Sequence, residues 1–134
     1  DYTVCLAGEE GAFPVKIFST RVGDIRPLGI GVAGMALLST CADDEVARIR
    51  AQHAYAFEGA GLGPAPMAKA IARTRRVGYS ELVDTVTEGV AGVGAVIPGG
   101  AAPFAAISIA AIKPRMGPAR RAELGKLLLE SLAA

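Results

Sequence analysis

The sequence predicts an α+β domain in which an antiparallel sheet is covered by helices, and three observations lead to this fold class. Two β-rich segments stand near the start of the chain, at residues 2–7 and 13–19. A second pair of apolar segments, residues 90–97 and 104–112, flanks a short turn rich in Gly and Pro, and helical patterns fill most of the remaining chain. Strands that are joined by short turns and grouped apart from helices indicate antiparallel pairing.

In the first half of the chain we expect a hairpin followed by three helices. The segments 2–7 and 13–19 flank the turn Gly-Glu-Glu-Gly, whereas residues 20–28 are polar and are predicted to form a loop. The helices are predicted at residues 31–39, 42–52 and 66–78, with a Gly- and Pro-rich loop at 57–66 between the last two. Asp43 or Asp44 is the expected cap of the second helix, Val46 and Ile49 share its buried face, Met67 and Ile71 point inward from the third, and Gly78 ends it.

The second half is predicted to contain three strands and a final helix. Residues 79–86 form the first strand, and residues 90–97 and 104–112 form a hairpin. Residues 118–134 show the spacing of an amphipathic helix. The leucines expected on its buried face are Leu124, Leu127, Leu128 and Leu132.

The predicted hairpin has one face of very small side chains. Side chains alternate along a strand, so Gly92 and Gly94 share a face in one strand, as Ser108 and Ala110 do in the other. If Gly94 pairs opposite Ser108, the small residues coincide and leave a hollow with one hydroxyl. Mid-strand glycines mark the close approach of another backbone or of a ligand, so both a closely packed helix and a ligand cavity are consistent with the pattern.

Bulk properties indicate one domain without a strong preference for a charged partner. The chain has 134 residues and a net charge of +1, and its first residue is Asp1, so we expect a fragment of a longer protein. Cys5 and Cys41 lie far apart and outside any C-x-x-C pair, which favours reduced thiols in a cytoplasmic protein. No apolar run is long enough to span a membrane.

The stretch Gly-Ile-Gly-Val-Ala-Gly at residues 29–34 spells a dinucleotide-binding fingerprint, but its context does not fit one. The fingerprint should follow a buried strand and precede an acidic residue by about 20 positions. Here a polar segment precedes the fingerprint. About 20 positions after it, where the acidic residue should stand, there is a helical stretch without a carboxylate. We interpret it instead as a Gly-rich helix start, whose free N–H groups are able to accept an anion.

Catalytic and metal-binding patterns are weak. His53 stands among alanines on a predicted helix, and it forms a nucleophile pair with Cys5 or Cys41 only if the fold brings them together. No group of His, Cys and acidic residues has the spacing of metal ligands. We therefore expect no enzyme activity, no cofactor and no metal.

The segments Gly-Asp-Ile-Arg-Pro-Leu-Gly at 23–29, Arg-Val-Gly-Tyr-Ser at 76–80 and Pro-Phe-Ala-Ala-Ile-Ser-Ile-Ala-Ala at 103–111 resemble the effector-binding domain of IclR-type bacterial transcriptional regulators. The resemblance covers almost the whole chain. It implies a GAF-like or profilin-like curved antiparallel sheet, a small organic effector, and a homodimer or homotetramer. It also implies that DNA is bound only by a winged helix-turn-helix domain, which is absent from residues 1–134. The first edge strand of the effector-binding domain is expected to be absent from these residues as well.

The resemblance also implies an effector pocket. It places pocket amides at Val32 and Ala33, and one floor serine at Ser108. Positions that are polar in the family carry other residues here, and no His or Lys stands in the helix start. We expect a relatively apolar carboxylate effector, with a purely structural oligomerisation domain as the alternative. The full predicted set of effector-binding residues is Val15, Phe18, Val32, Ala33, Gly34, Leu82, Val90, Gly92, Ser108 and Ala110.

Overall fold

The computed structural model describes residues 1–14, 20–100 and 105–133, and within them it shows the predicted α+β architecture. Two antiparallel sheets alternate with helices along the chain. The elements are β1 (Tyr2–Val4), β2 (Ile25–Pro27), α1 (Val32–Leu38), α2 (Asp43–Gln52), α3 (Ala54–Gly59), α4 (Pro64–Val77), β3 (Ser80–Val83), β4 (Val90–Val96), β5 (Ala106–Ile112), a 3-10 turn (Lys113–Arg115) and α5 (Pro118–Ala133).

The three-stranded sheet has the order β3-β4-β5 and positions the later site. Gly94 pairs with Ser80 on one side and with Ser108 on the other. The hairpin therefore has the register in which the small faces coincide, and the small residues of β4 and β5 share one face of the sheet. The bulkier face of β4 carries Val93, which is fully buried.

A helix packs against each face of this sheet. On the bulky face, Val93 belongs to a core with Leu124 and Leu128 of α5. Gly125 of the same helix packs on the ring of Tyr79, and a Cβ at position 125 would lie 2.4 Å from two ring carbons. On the small face lies α1, which joins the sheet to the other helices.

A second core is formed where the first four helices meet. Its centre contains Met35 and Leu38 of α1 together with Ile49, Phe57 and Met67, all at most 1% exposed. A burial pattern with the period of a helix therefore placed Ile49 and Met67 correctly.

The guanidinium of Arg75 ties α4 to the chain between α1 and α2. It donates to the carbonyl oxygens of Ser39 and Cys41 at 3.0 and 2.8 Å, and it pairs with Asp43 at 2.7 Å. Asp43 is thus engaged with Arg75 and the predicted side-chain cap is wrong, because Ala42 is the cap residue of α2 and no side chain caps it.

Two predicted loops contain regular structure. Residues 25–27 form β2, which pairs with β1 through Thr3 and Arg26. This pairing joins positions far apart in sequence and leaves no local signal. Residues 57–59 belong to α3, where burial of Phe57 outweighs the local preference of the glycines. Residues 64–66 open α4, because proline is tolerated at the first positions of a helix.

Other boundaries differ from the predictions more modestly. The first predicted strand ends at Val4, and it pairs with β2. Most of its predicted hairpin partner, at residues 15–19, lies outside the described residues. Residues 79–86 shorten to Ser80–Val83. Leu127 is 51% exposed, because α5 contacts the sheet through the narrower stripe of Leu124 and Leu128. Among the described helices, none is long and apolar enough to cross a membrane.

Candidate functional site

The glycines at positions 29–34 build a tight turn into α1. Gly29 and Gly31 have φ angles of 109° and 93°, which L side chains rarely adopt, and Gly31 is the cap residue of the helix. Gly34 lies directly on the turn, since a Cβ there would stand 3.0 Å from the Gly29 nitrogen. The backbone path therefore accounts for these glycines. Both described sheets are antiparallel, so the βαβ unit of a dinucleotide site is not formed by the described residues.

The first turn of α1 rests on the glycines of β4. A Cβ at Gly94 would lie 2.7 Å from the carbonyl oxygen of Val32, and a Cβ at Gly92 would lie 3.2 Å from the Val32 side chain. The buried hydroxyl of Ser80 donates to the same Val32 carbonyl and stands 3.2 Å from that of Gly94. Over β4 the small residues thus allow α1 to pack closely on the sheet. A closely packed helix was one of the two alternatives that the sequence left open, and a ligand cavity was the other.

Over β5 the small face remains open. Ser108 and Ala110 are both exposed, in contrast to Gly92 and Gly94 on the neighbouring strand. They form one wall of a cleft of about 1270 Å³, and Val32 and Ala33 of α1 form another. The shared small face is therefore divided between a helix on β4 and a cleft on β5.

The cleft gathers the predicted site residues that the structure describes. Its lining includes Val32, Ala33, Gly34, Leu82, Val90, Gly92, Ser108 and Ala110. Val15 and Phe18 lie outside the described residues. Val32 and Ala33 stand in the first turn of α1, where N–H groups have no partner within the helix. The hydroxyl of Ser108 is the polar side-chain group of the β5 wall.

The cleft also has lining residues that the sequence reasoning missed. The N-terminal segment contributes Thr3 and Phe13, and the turn after β5 contributes Arg115. The guanidinium of Arg115 lies over the ring of Phe13, 3.9 Å from its centroid. These two residues are about 100 positions apart, and no periodicity in the sequence links them. A lone arginine after a strand was the available signal, and it is not specific.

Among the described residues, neither cysteine is hydrogen-bonded to His53, so a nucleophile pair is not formed. Cys5 and Cys41 both line the cleft as free thiols. Burial raises the pKa of the Cys41 thiol, and the charge of Glu45 adds to this effect, so the thiolate is disfavoured. His53 stacks edge-on against Tyr2 with ring centroids 5.0 Å apart. Within the described residues, no group of three His, Cys or acidic side chains is placed to hold a metal ion.

Solved structures of transcriptional regulators share this fold. The repressor BlcR of Agobacterium tumefaciens superposes with a TM-score of 0.78 at 25% identity, over 87% of this chain and 49% of BlcR. The C-terminal domain of a Vibrio cholerae transcriptional regulator gives 0.73 at 21% identity, over 98% and 82% of the two chains. IclR of Thermotoga maritima gives 0.73 at 17% identity, over 95% and 51%. No curated protein matches the chain significantly.

The chain spans about half the length of BlcR and of the Thermotoga protein. Residues 14–133 match the family model described as the C-terminal region of the bacterial transcriptional regulator IclR. The predicted fold class and the predicted family are confirmed by these matches, and the family is one of transcriptional regulators and not of enzymes. The chain therefore belongs to the IclR C-terminal family of bacterial transcriptional regulators.

Proposed function

We propose that this domain binds a small organic effector in the cleft between α1 and β5, and that binding modulates operator affinity in the intact regulator. The observation that carries the proposal is the division of the small sheet face. The glycines of β4 let α1 approach closely, while Ser108 and Ala110 of β5 stay exposed beside its first turn. An apolar concavity with a few convergent polar groups is the usual form of a small-molecule site.

The lining favours an effector that is more apolar than a two- or three-carbon keto acid. The walls carry Leu82, Gly92 and Ala110, where the family resemblance allows polar residues. Ser108 and the first-turn amides of Val32 and Ala33 are the polar groups predicted for the effector. An aromatic or aliphatic carboxylate would match an apolar wall with few donors.

The proposed mechanism is linkage between effector and operator. An effector that binds one arrangement of the oligomer more tightly shifts the population toward that arrangement, and DNA affinity changes by the same coupling free energy. We propose a homodimer or homotetramer in the cytoplasm, with DNA bound by a separate winged helix-turn-helix domain. No covalent step is required.

A thermal-shift screen of the domain against carboxylates, from pyruvate to aromatic acids, tests this function. A ligand at one hundred times its Kd should stabilise the native state by about 2.7 kcal/mol. Ser108→Leu should abolish the shift by covering the β5 wall beside the first turn of α1, and the same change at exposed Ser131 on α5 is the matched control. Equal shifts in both variants would place the ligand elsewhere.

The alternative is a structural oligomerisation domain without a ligand. The seating of α1 on Gly92 and Gly94 favours it, because that contact explains both glycines without an effector. Screening neutral compounds as well as acids separates the two functions. Oligomer formation without a thermal shift from any compound would support the structural role.

A further inference from the structure

The arginines that line the cleft differ in their ion pairs and hydrogen bonds. Three arginines line it, at positions 26, 115 and 120. Arg120 pairs with Glu123 at 3.0 Å, and Arg26 donates to the Thr20 hydroxyl at 2.6 Å. For Arg115, by contrast, no carboxylate lies within ion-pairing distance in residues 1–14, 20–100 and 105–133, and its contact is with an aromatic ring.

The contact with Phe13 holds the guanidinium without using its hydrogen bonds. The ring centroid lies 3.9 Å from the guanidinium carbon, and the attraction is between the cation and the face of the ring. The N–H donors lie in the guanidinium plane, in a fork that matches a carboxylate. Arg115 is exposed at the edge of the cleft, and its guanidinium is held over the Phe13 ring without a hydrogen bond to any described residue.

The backbone on both sides of Arg115 is anchored. Two residues earlier, the Lys113 N–H donates to the Gly89 carbonyl at 2.8 Å and its ammonium pairs with Asp84 at 2.8 Å. One residue later, Met116 is 2% exposed within the core of α5. A cation held in this way loses less conformational freedom on binding than one on a mobile loop.

The side chains that line the cleft carry no net formal charge, so we expect a bound acid to need a local cationic partner. Glu9, Glu10 and Asp24 also line it, and they balance the three arginines in formal charge. From Arg115, the small residues of β5 lead along the wall from Ala110 to Ala106. Four residues of strand span about 13 Å, which is long enough to accommodate a medium alkyl chain or an arylalkyl group.

We infer that Arg115 is the specificity-determining residue for an amphipathic monocarboxylate effector. The guanidinium pairs with the carboxylate, and the alkyl or arylalkyl body lies along the small side chains of β5. This inference rests on the proposed effector function and adds to it the residue that selects an acid over its neutral analogue.

The test compares octanoate and 3-phenylpropanoate with their neutral amides, by thermal shift and calorimetry on the 134-residue chain. In the wild type we expect the acid to bind at least tenfold more tightly than its amide, since hydrogen bonds between charged groups are the stronger class. Arg115→Gln should weaken acid binding at least tenfold and leave amide binding unchanged. Arg120→Gln, at a cleft arginine that is already paired, should change neither.

Two results would overturn the inference and leave the function in place. They are equal binding of acid and amide to the wild type, and acid binding by Arg115→Gln at wild-type strength, provided that Ser108→Leu still abolishes binding. Absence of binding by all four compounds would overturn the inference as well, and a shift from another acid in the wider screen would show that the effector function survives it.

Discussion

Replacing Gly94 with Ala tests the central packing contact of the domain, the seating of α1 on β4. A Cβ at this position would lie 2.7 Å from the carbonyl oxygen of Val32 and 2.8 Å from its carbon. Ordinary contact begins at 3.4 Å, so the shortfall is about 0.7 Å. Both opposing atoms belong to the backbone, and no side-chain rotation relieves the clash. The first turn of α1 must therefore move away from the sheet.

The expected change in the free energy of unfolding combines two effects that lower it and one that raises it. Overpacking of a close contact costs about 1–3 kcal/mol. Displacing α1 also stretches the hydrogen bond from Ser80 to the Val32 carbonyl, which contributes about 0.5–1.5 kcal/mol. Removing a mid-strand glycine returns about 0.5–1 kcal/mol. These ranges combine to an expected loss of about 0.5–4 kcal/mol in the free energy of unfolding, or roughly 2–16 °C in Tm.

Urea denaturation followed by circular dichroism measures this loss, and hydrogen exchange at the amides of α1 locates it. Gly59→Ala is the matched control, because a Cβ at Gly59 meets nothing within 4 Å and the residue lies at the end of α3. The control should be neutral or slightly stabilising. A Gly94→Ala variant as stable as the wild type would refute the packing argument.

Three further changes probe other parts of the structure. Gly125→Ala should destabilise the domain by about 1–2 kcal/mol in urea denaturation, because the clash with the Tyr79 ring outweighs a helix-propensity gain of about 1 kcal/mol, and a stabilised variant would contradict this. The pKa of Asp84 is lowered, first by its hydrogen bond with Lys113, so in urea denaturation at a series of pH values the stability that Asp84→Asn removes should be fully present above about pH 4 and should shrink as the pH falls through the lowered pKa; a loss that is the same at every pH would speak against this role. Ser80→Ala should cost about 1–2 kcal/mol and speed hydrogen exchange in the first turn of α1, and unchanged exchange there would show that the buried hydroxyl does not hold the helix.

Local patterns in the sequence determined the type of most elements and the face that each one buries. The 3.6-residue period placed Ile49, Met67 and Leu128 inward, and Gly78 ends α4 in the left-handed conformation, with φ 92°. The alternation of small and bulky residues indicated that the small faces coincide only if Gly94 pairs opposite Ser108, and the structure shows that pairing. These features depend on side-chain periodicity within a few residues, and the sequence contains that information directly.

Only the tertiary structure decided what covers each face. The sequence left a helix and a cavity as alternatives over the small residues, and the fold places α1 over Gly94 while Ser108 remains exposed to the cleft. The strand β2 and the contact of Phe13 with Arg115 likewise join segments far apart in the chain. Such contacts depend on how distant elements dock, and a local pattern of polarity specifies which side is buried but not which partner buries it.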